Sequence, residues 1–184
     1  MTEDLRGDVE ETAVYTKEEI HREVARMGAA ISRDYAGRNP LLISVLKGAF
    51  VFMADLVREI TIPCELDFMA VSSYGSGTES SGRVRILKDL DTNIEGRHVI
   101  IVEDVLDSGV TLSKLITMLQ SRGAASLAVC TMFDKPARRR AQVDVAYRGL
   151  TIPDAFVVGY GLDYAEKYRN LPDLCVLKPE VYTK

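Results

Sequence analysis

The sequence predicts an α/β protein with a mostly parallel central sheet flanked by helices. Three observations predict it. Apolar segments such as LLISVL (41–46) and VIIV (99–102) run almost uninterrupted, as strands covered on both faces do. Segments of helical periodicity alternate with them, which is the connection that parallel strands need. Short polar turns, KGA, DSGVT and DKPARR, follow the strand-like runs, and in such sheets ligands bind where strands end.

The elements follow in order. Thr16 and Glu19 form a capping-box pattern, and Ile20, Val24, Met27, Ile31 and Tyr35 keep helical spacing behind it. A strand is expected at 41–46, then a helix from about Phe50 to Glu59. CELDFMAVS reads as a second strand, with Glu65 and Asp67 alternating against Leu66 and Phe68. Residues 73–82, SYGSGTESSG, are small and polar and read as a flexible hairpin-like loop suited to closing over a site. RVRILK (83–88) returns as a strand. Strand 99–102, a helix over about 111–122 and strand 125–133 form a β-α-β unit, and further strands are expected near 144–147, 154–160 and 174–178.

Composition sets the class. A chain of 184 residues with 47% apolar and 27% charged residues is most simply one domain, residues 1–184, around a single core. A formal charge of −4 argues against a partner held through a phosphate backbone, so no nucleic acid is expected. Arg138, Arg139 and Arg140 form the dense basic cluster and read as a solvated helix face. The acidic N-terminus is not a secretory signal, and the most apolar stretch is broken by Lys47 and Asp55, so no membrane partner is expected. Cys64, Cys130 and Cys175 lie in apolar strand-like surroundings and read as buried thiols of a reducing compartment, the cytoplasm. His21 and His98 lie far apart and read as structural.

The chemistry concentrates in VIIVEDVLDSGVTLSKL (99–115). A strand ends in two carboxylates, Glu103 and Asp104, and feeds a turn and a helix N-terminus. Unpaired N–H groups of 107–111 favour an anion there, and the hydroxyls of Ser108 and Thr111 add donors. Carboxylates accept hydrogen bonds from sugar hydroxyls or hold Mg²⁺. A ligand carrying both a phosphate and a vicinal diol, a 5-phosphoribosyl group, needs both ends. Other phosphate and nucleophile patterns fail: no P-loop is present, Leu106 stands where a nucleophile elbow needs glycine, and no G-x-G-x-x-G follows a strand.

EDVLDSGVT resembles the phosphoribosyl-diphosphate signature of the type I phosphoribosyltransferases. VLKGAFVF (45–52), SSYGSGT (72–78), FDKPARR (133–139) and FVVGYGLDYAEKYRNLP (156–172) resemble the hypoxanthine-guanine branch, in the family's order and over nearly the whole chain. Val110 departs at a position expected to vary. The resemblance implies the family's parallel-sheet fold, with a small hood from the chain ends and a mobile active-site loop.

It also implies purine salvage: transfer of the phosphoribosyl group from 5-phospho-α-D-ribosyl 1-diphosphate (PRPP) to N9 of hypoxanthine or guanine, with Mg²⁺ and release of pyrophosphate. By motif, Glu103 and Asp104 take the ribose hydroxyls, directly or through Mg²⁺. Asp107, Ser108, Gly109, Val110 and Thr111 hold the 5-phosphate, and Asp107 is the catalytic proton acceptor. Lys47 and Gly48, in a loop where the family often has a cis peptide, line the pyrophosphate side with Arg169. Lys135 donates to the 6-oxo oxygen, Phe156 stacks on the purine, and the Val157 backbone reads the base edge. Asp163 lies beside the base and helps hold a second Mg²⁺, while Ser73 and Tyr74 seal the site. A dimer or tetramer is implied. A sibling transferase for xanthine or a pyrimidine stays open, as does a PRPP-sensing regulator of the same fold; the latter calls for a basic face or an added domain.

Overall fold

A computed structural model describes residues 5–73 and 84–183. Its strands are β1 (Leu41–Leu46), β2 (Glu65–Ser73), β3 (Val84–Lys88), β4 (His98–Leu106), β5 (Ser126–Asp134), β6 (Tyr147–Thr151), β7 (Val157–Val158) and β8 (Cys175–Val176). Six form one sheet in the order β3-β2-β1-β4-β5-β6, all neighbours parallel except β2 and β3. Its helices are α1 (Lys17–Asp34), α2 (Phe50–Glu59), α3 (Val110–Gln120) and the short α4 (Pro179–Tyr182). Helices α1 and α2 cover one face with Ile20, Val24, Met27, Phe52 and Leu56 against Leu42, Ile100 and Val102. On the other face, α3 places Leu112, Leu115 and Leu119 against Ile43, Val99 and Ile101. Alternate residues of β1 and β4 thus feed opposite cores, which explains their unbroken apolar runs.

The capping box forms: the Thr16 hydroxyl accepts from the Glu19 N–H at 3.3 Å, and the Thr16 N–H donates to the Glu19 carboxylate at 2.8 Å. Helix α2 spans the expected residues, and α3 starts one residue earlier than expected.

Several expectations are corrected. In β2 the alternation is present, but the buried side carries Asp67 and Met69, whereas Leu66 is exposed. Asp67 is tolerated there because it accepts from the N–H groups of Phe68, Asp91 and Thr92 at 2.7–3.0 Å. Strand β4 continues past Val102 to Leu106, carrying Glu103 and Asp104 within the strand. The strand expected at 144–147 begins only at Tyr147, where pairing with Cys130 of β5 starts. The strand expected at 154–160 shrinks to Val157–Val158 because positive φ angles at Gly159 and Tyr160 turn the chain. Cys64 is only partly buried, unlike Cys130 and Cys175. His98 holds a structural bond to Ser126 at 2.7 Å.

The chain ends build a small second layer. Strands β7 and β8 pair with each other, and Val9 and Tyr15 bridge to Leu177 and Leu174. Val9, Val158, Tyr168, Leu171, Cys175 and Leu177 form a separate core there.

Candidate active site

Strands β1 and β4 are neighbours in the sheet although the chain leaves β1 for β2 on the other side. This is the switch in strand order beside which doubly wound sheets open a crevice. The turns after β1, β4 and β5 all leave the sheet at that end. Together with the second layer they enclose a cavity of about 670 Å³ lined by Lys47, Gly48, Asp104, Val105, Asp107, Lys135, Arg138, Asp154, Ala155, Phe156, Val157, Leu162, Asp163, Arg169 and Tyr182.

Each wall has a local cause. The Leu46–Lys47 peptide is cis. Gly48 backs directly onto the Asp104 carboxylate, and Gly161, at φ +95°, backs onto the Gly48 carbonyl. Neither contact leaves room for a Cβ. Lys135 is only 8% exposed, and its ammonium donates to the Ala155 carbonyl at 2.8 Å. Phe156, 40% exposed, stacks on Tyr182 with ring centres 5.1 Å apart and meets Tyr164 edge-on. Arg169 pairs with Asp163 at 2.9 Å and donates to the Gly161 carbonyl at 2.8 Å. Lys47 pairs with Glu166 at 2.9 Å, and Glu166 also lies 3.5 Å from Arg169. Lys47 and Arg169 are thus held by nearby acids, and Lys135 by a carbonyl.

The carboxylates have unusual acidity. Burial, then the charge of Asp104, pushes Glu103 well above the usual range. Burial raises Asp104 to about 6, against the opposing effects of backbone N–H donors and the Arg169 charge. Asp163 contributes to the rise.

Of the residues singled out from the sequence, Lys47, Gly48, Asp104, Asp107, Lys135, Phe156, Val157, Asp163 and Arg169 converge on this cavity. Glu103 does not reach its wall, because neighbouring strand residues project to opposite faces. Ser108, Gly109, Val110 and Thr111 follow Asp107 into the start of α3 without lining the cavity. Ser73 ends β2, and Tyr74 with the rest of the loop to residue 83 lies outside the described residues. Sequence reasoning missed Arg138, Asp154 and Tyr182. Arg138 and Arg140 are exposed as a solvated face requires, although Arg138 pairs with Asp154 at 2.6 Å beside the cavity; only Arg139 departs from that expectation, drawn inward by Asp134. The position of Arg138 three residues after Lys135, in the same turn, was the available signal.

Among the described residues, no helix is long and apolar enough to cross a membrane. A family model for the phosphoribosyl transferase domain matches residues 11–165. The chain is 51% identical over 178 residues to the hypoxanthine-guanine phosphoribosyltransferase of Bacillus subtilis, covering 97% of this chain and 98% of that one. It belongs to the hypoxanthine-guanine phosphoribosyltransferase family. The Streptococcus agalactiae member is 52% identical over 180 residues, 98% of this chain and 99% of its own. A crystal structure of a Staphylococcus aureus hypoxanthine phosphoribosyltransferase superposes with a TM-score of 0.95 at 46% identity, covering both chains completely. The hypoxanthine-guanine phosphoribosyltransferase motifs found in the sequence therefore sit on a fold that this family shares, and Lys47, Asp104, Asp107, Lys135, Asp163 and Arg169 from them meet in one cavity.

Proposed function

We propose that this cavity binds PRPP and a 6-oxopurine together, and that the chain makes IMP or GMP and pyrophosphate in purine salvage. The carrying observation is the meeting of Lys47, Asp104, Asp107, Lys135, Phe156 and Arg169 around one space. Asp104 takes the ribose hydroxyls, and the N–H groups of 107–111 with the Ser108 and Thr111 hydroxyls take the 5-phosphate. Lys47, the Gly48 backbone and Arg169 face the pyrophosphate, for which a guanidinium fork is well shaped. Lys135 turns from the Ala155 carbonyl to the 6-oxo oxygen, Phe156 stacks on the ring, and the Val157 backbone reads its edge.

The donor set suits Mg²⁺. Asp104 and Asp163 both line the cavity and offer oxygen ligands, and the Asp163 charge raises the cost of ionising Asp104, which a divalent cation would relieve. Mg²⁺ at such a site would be held by one or two carboxylates and by substrate oxygens. When bound, Mg²⁺ neutralises charge on the departing pyrophosphate. In the reaction the anomeric carbon–oxygen bond to pyrophosphate breaks and a bond to purine N9 forms. Asp107 accepts the proton at purine N7, which makes N9 the better nucleophile. Ser73 and Tyr74 close the site and exclude water, which would otherwise attack the same carbon.

We read residues 1–184 as one such transferase domain, working in the cytoplasm as a dimer or tetramer. The test is direct. The protein is mixed with PRPP, Mg²⁺ and hypoxanthine, guanine, xanthine or adenine in turn, and nucleoside monophosphate is measured. Product from hypoxanthine or guanine is expected; product from xanthine alone, or from no purine, overturns the reading.

A further inference from the structure

We infer that Arg139, anchored by Asp134, is a positioning residue that holds the phosphate turn in shape for the ligand by occupying its carbonyl oxygens. The inference rests on the reading of 107–111 as the 5-phosphate site.

A turn binds an anion well only if its carbonyl oxygens are occupied elsewhere, since each exposed oxygen repels the ligand that the neighbouring N–H attracts. The segment just after β5 supplies that occupation. Leu106 O accepts from the Lys135 N–H at 3.0 Å and from Arg139 Nη2 at 3.2 Å. Asp107 O accepts from Arg139 Nε at 3.0 Å. Ser108 O accepts from the Arg140 and Ala141 N–H groups at 2.9 and 3.0 Å. Three successive carbonyls are thereby consumed by one neighbouring stretch, and a single guanidinium serves two of them. Gly109, in the left-handed region at φ +75°, packs against the same stretch: a Cβ there would lie 2.9 Å from Ala141 O and 3.3 Å from the Arg139 side chain.

Arg139 is itself held in place. Its Nη2 pairs with the carboxylate of Asp134, whose side chain is 2% exposed and which also receives Arg148. A buried carboxylate between two guanidiniums fixes the direction of each fork. The same stretch starts at Lys135, so one rigid piece of chain sets both the purine donor and the phosphate turn.

The experiment uses Arg139→Gln and Arg139→Lys, because removing the buried Asp134 takes the shared partner from two guanidiniums at once and risks the fold. Steady-state constants are measured for PRPP at saturating purine and for purine at saturating PRPP, with equilibrium PRPP binding followed by thermal shift. Loss of two hydrogen bonds from a charged donor is expected to raise KM for PRPP about 10- to 100-fold. KM for purine should stay within about twofold, and the PRPP-induced rise in Tm should shrink. Arg139→Lys should recover part of the loss, because an ammonium can still serve one carbonyl. If the glutamine variant does not fold, the lysine variant and amide hydrogen exchange of residues 106–111 carry the test, with faster exchange expected. An unchanged KM for PRPP, or an equal rise in both constants, overturns the inference. Wild-type protein that binds PRPP but forms no nucleotide would instead refute the proposed function, and the thermal-shift comparison would still judge Arg139.

Discussion

Asp107 and Lys135 follow the ends of neighbouring strands and line the same cavity from two different turns. Asp107→Asn keeps the shape and hydrogen-bonding reach of the side chain but removes the proton acceptor. It should lower kcat about 10²- to 10⁴-fold with the fold intact, measured by single-turnover nucleotide formation. Lys135→Ala should weaken discrimination between hypoxanthine and adenine, read as the ratio of the two kcat/KM values. Asp104 gives a pH prediction whose sign is unusual for an acidic residue. Its carboxyl is raised to about 6, so between its ordinary value and 6 the folded protein keeps a proton that the unfolded chain has released. The protein therefore loses stability as pH rises through that window, and the whole cost stands above it. In the absence of metal, Asp104→Asn should raise Tm by a few degrees at pH 8 and lose this advantage near pH 4, while turnover falls. The polar residues at strand ends were legible because a carboxylate pair before a glycine turn is chemically odd in a strand. Tyr182 was not, since an aromatic near a chain end has no pattern until the fold lays it on Phe156.

Helices α1, α2 and α3 were readable nearly to the residue, because caps and periodicity are local properties. Thr16→Ala should cost about 1 kcal/mol of stability, measured by urea unfolding, through loss of the capping box. The short strands of the second layer were harder: β7 and β8 are two residues each, and β7 is ended by a left-handed turn that propensity does not reveal. The burial of Asp67 in β2 was illegible for a different reason. Asp67 is stabilised inside by N–H groups of Asp91 and Thr92, some 24 residues away, and no local pattern announces those donors. Contact between loops also yields a prediction. Gly48 lies against the Asp104 carboxylate, so Gly48→Ala must push that carboxylate aside. It should lower kcat/KM for PRPP by at least about tenfold, with a smaller effect on KM for purine, in the same steady-state assay.

At the scale of the molecule, a doubly covered sheet supplies rigidity and the switch in strand order supplies the opening, while the second layer from the chain ends contributes Phe156, Asp163, Arg169 and Tyr182 to its rim. The sheet was legible from its apolar runs. The joining of residues 47, 104, 135 and 169 into one wall is a property of strand order, which the sequence conveyed through resemblance and not through periodicity. Chelation of Mg²⁺ should abolish turnover while leaving the far-ultraviolet circular dichroism unchanged, since the cores contain no metal-ligand cluster among the described residues. The most direct measurement is a crystal structure with an unreactive PRPP analogue, Mg²⁺ and hypoxanthine. The 5-phosphate is expected on the amides of 107–111, the diol against Asp104, and the base between Lys135 and Phe156. Ligand bound elsewhere, with this cavity left empty at saturating concentration, would contradict the assignment.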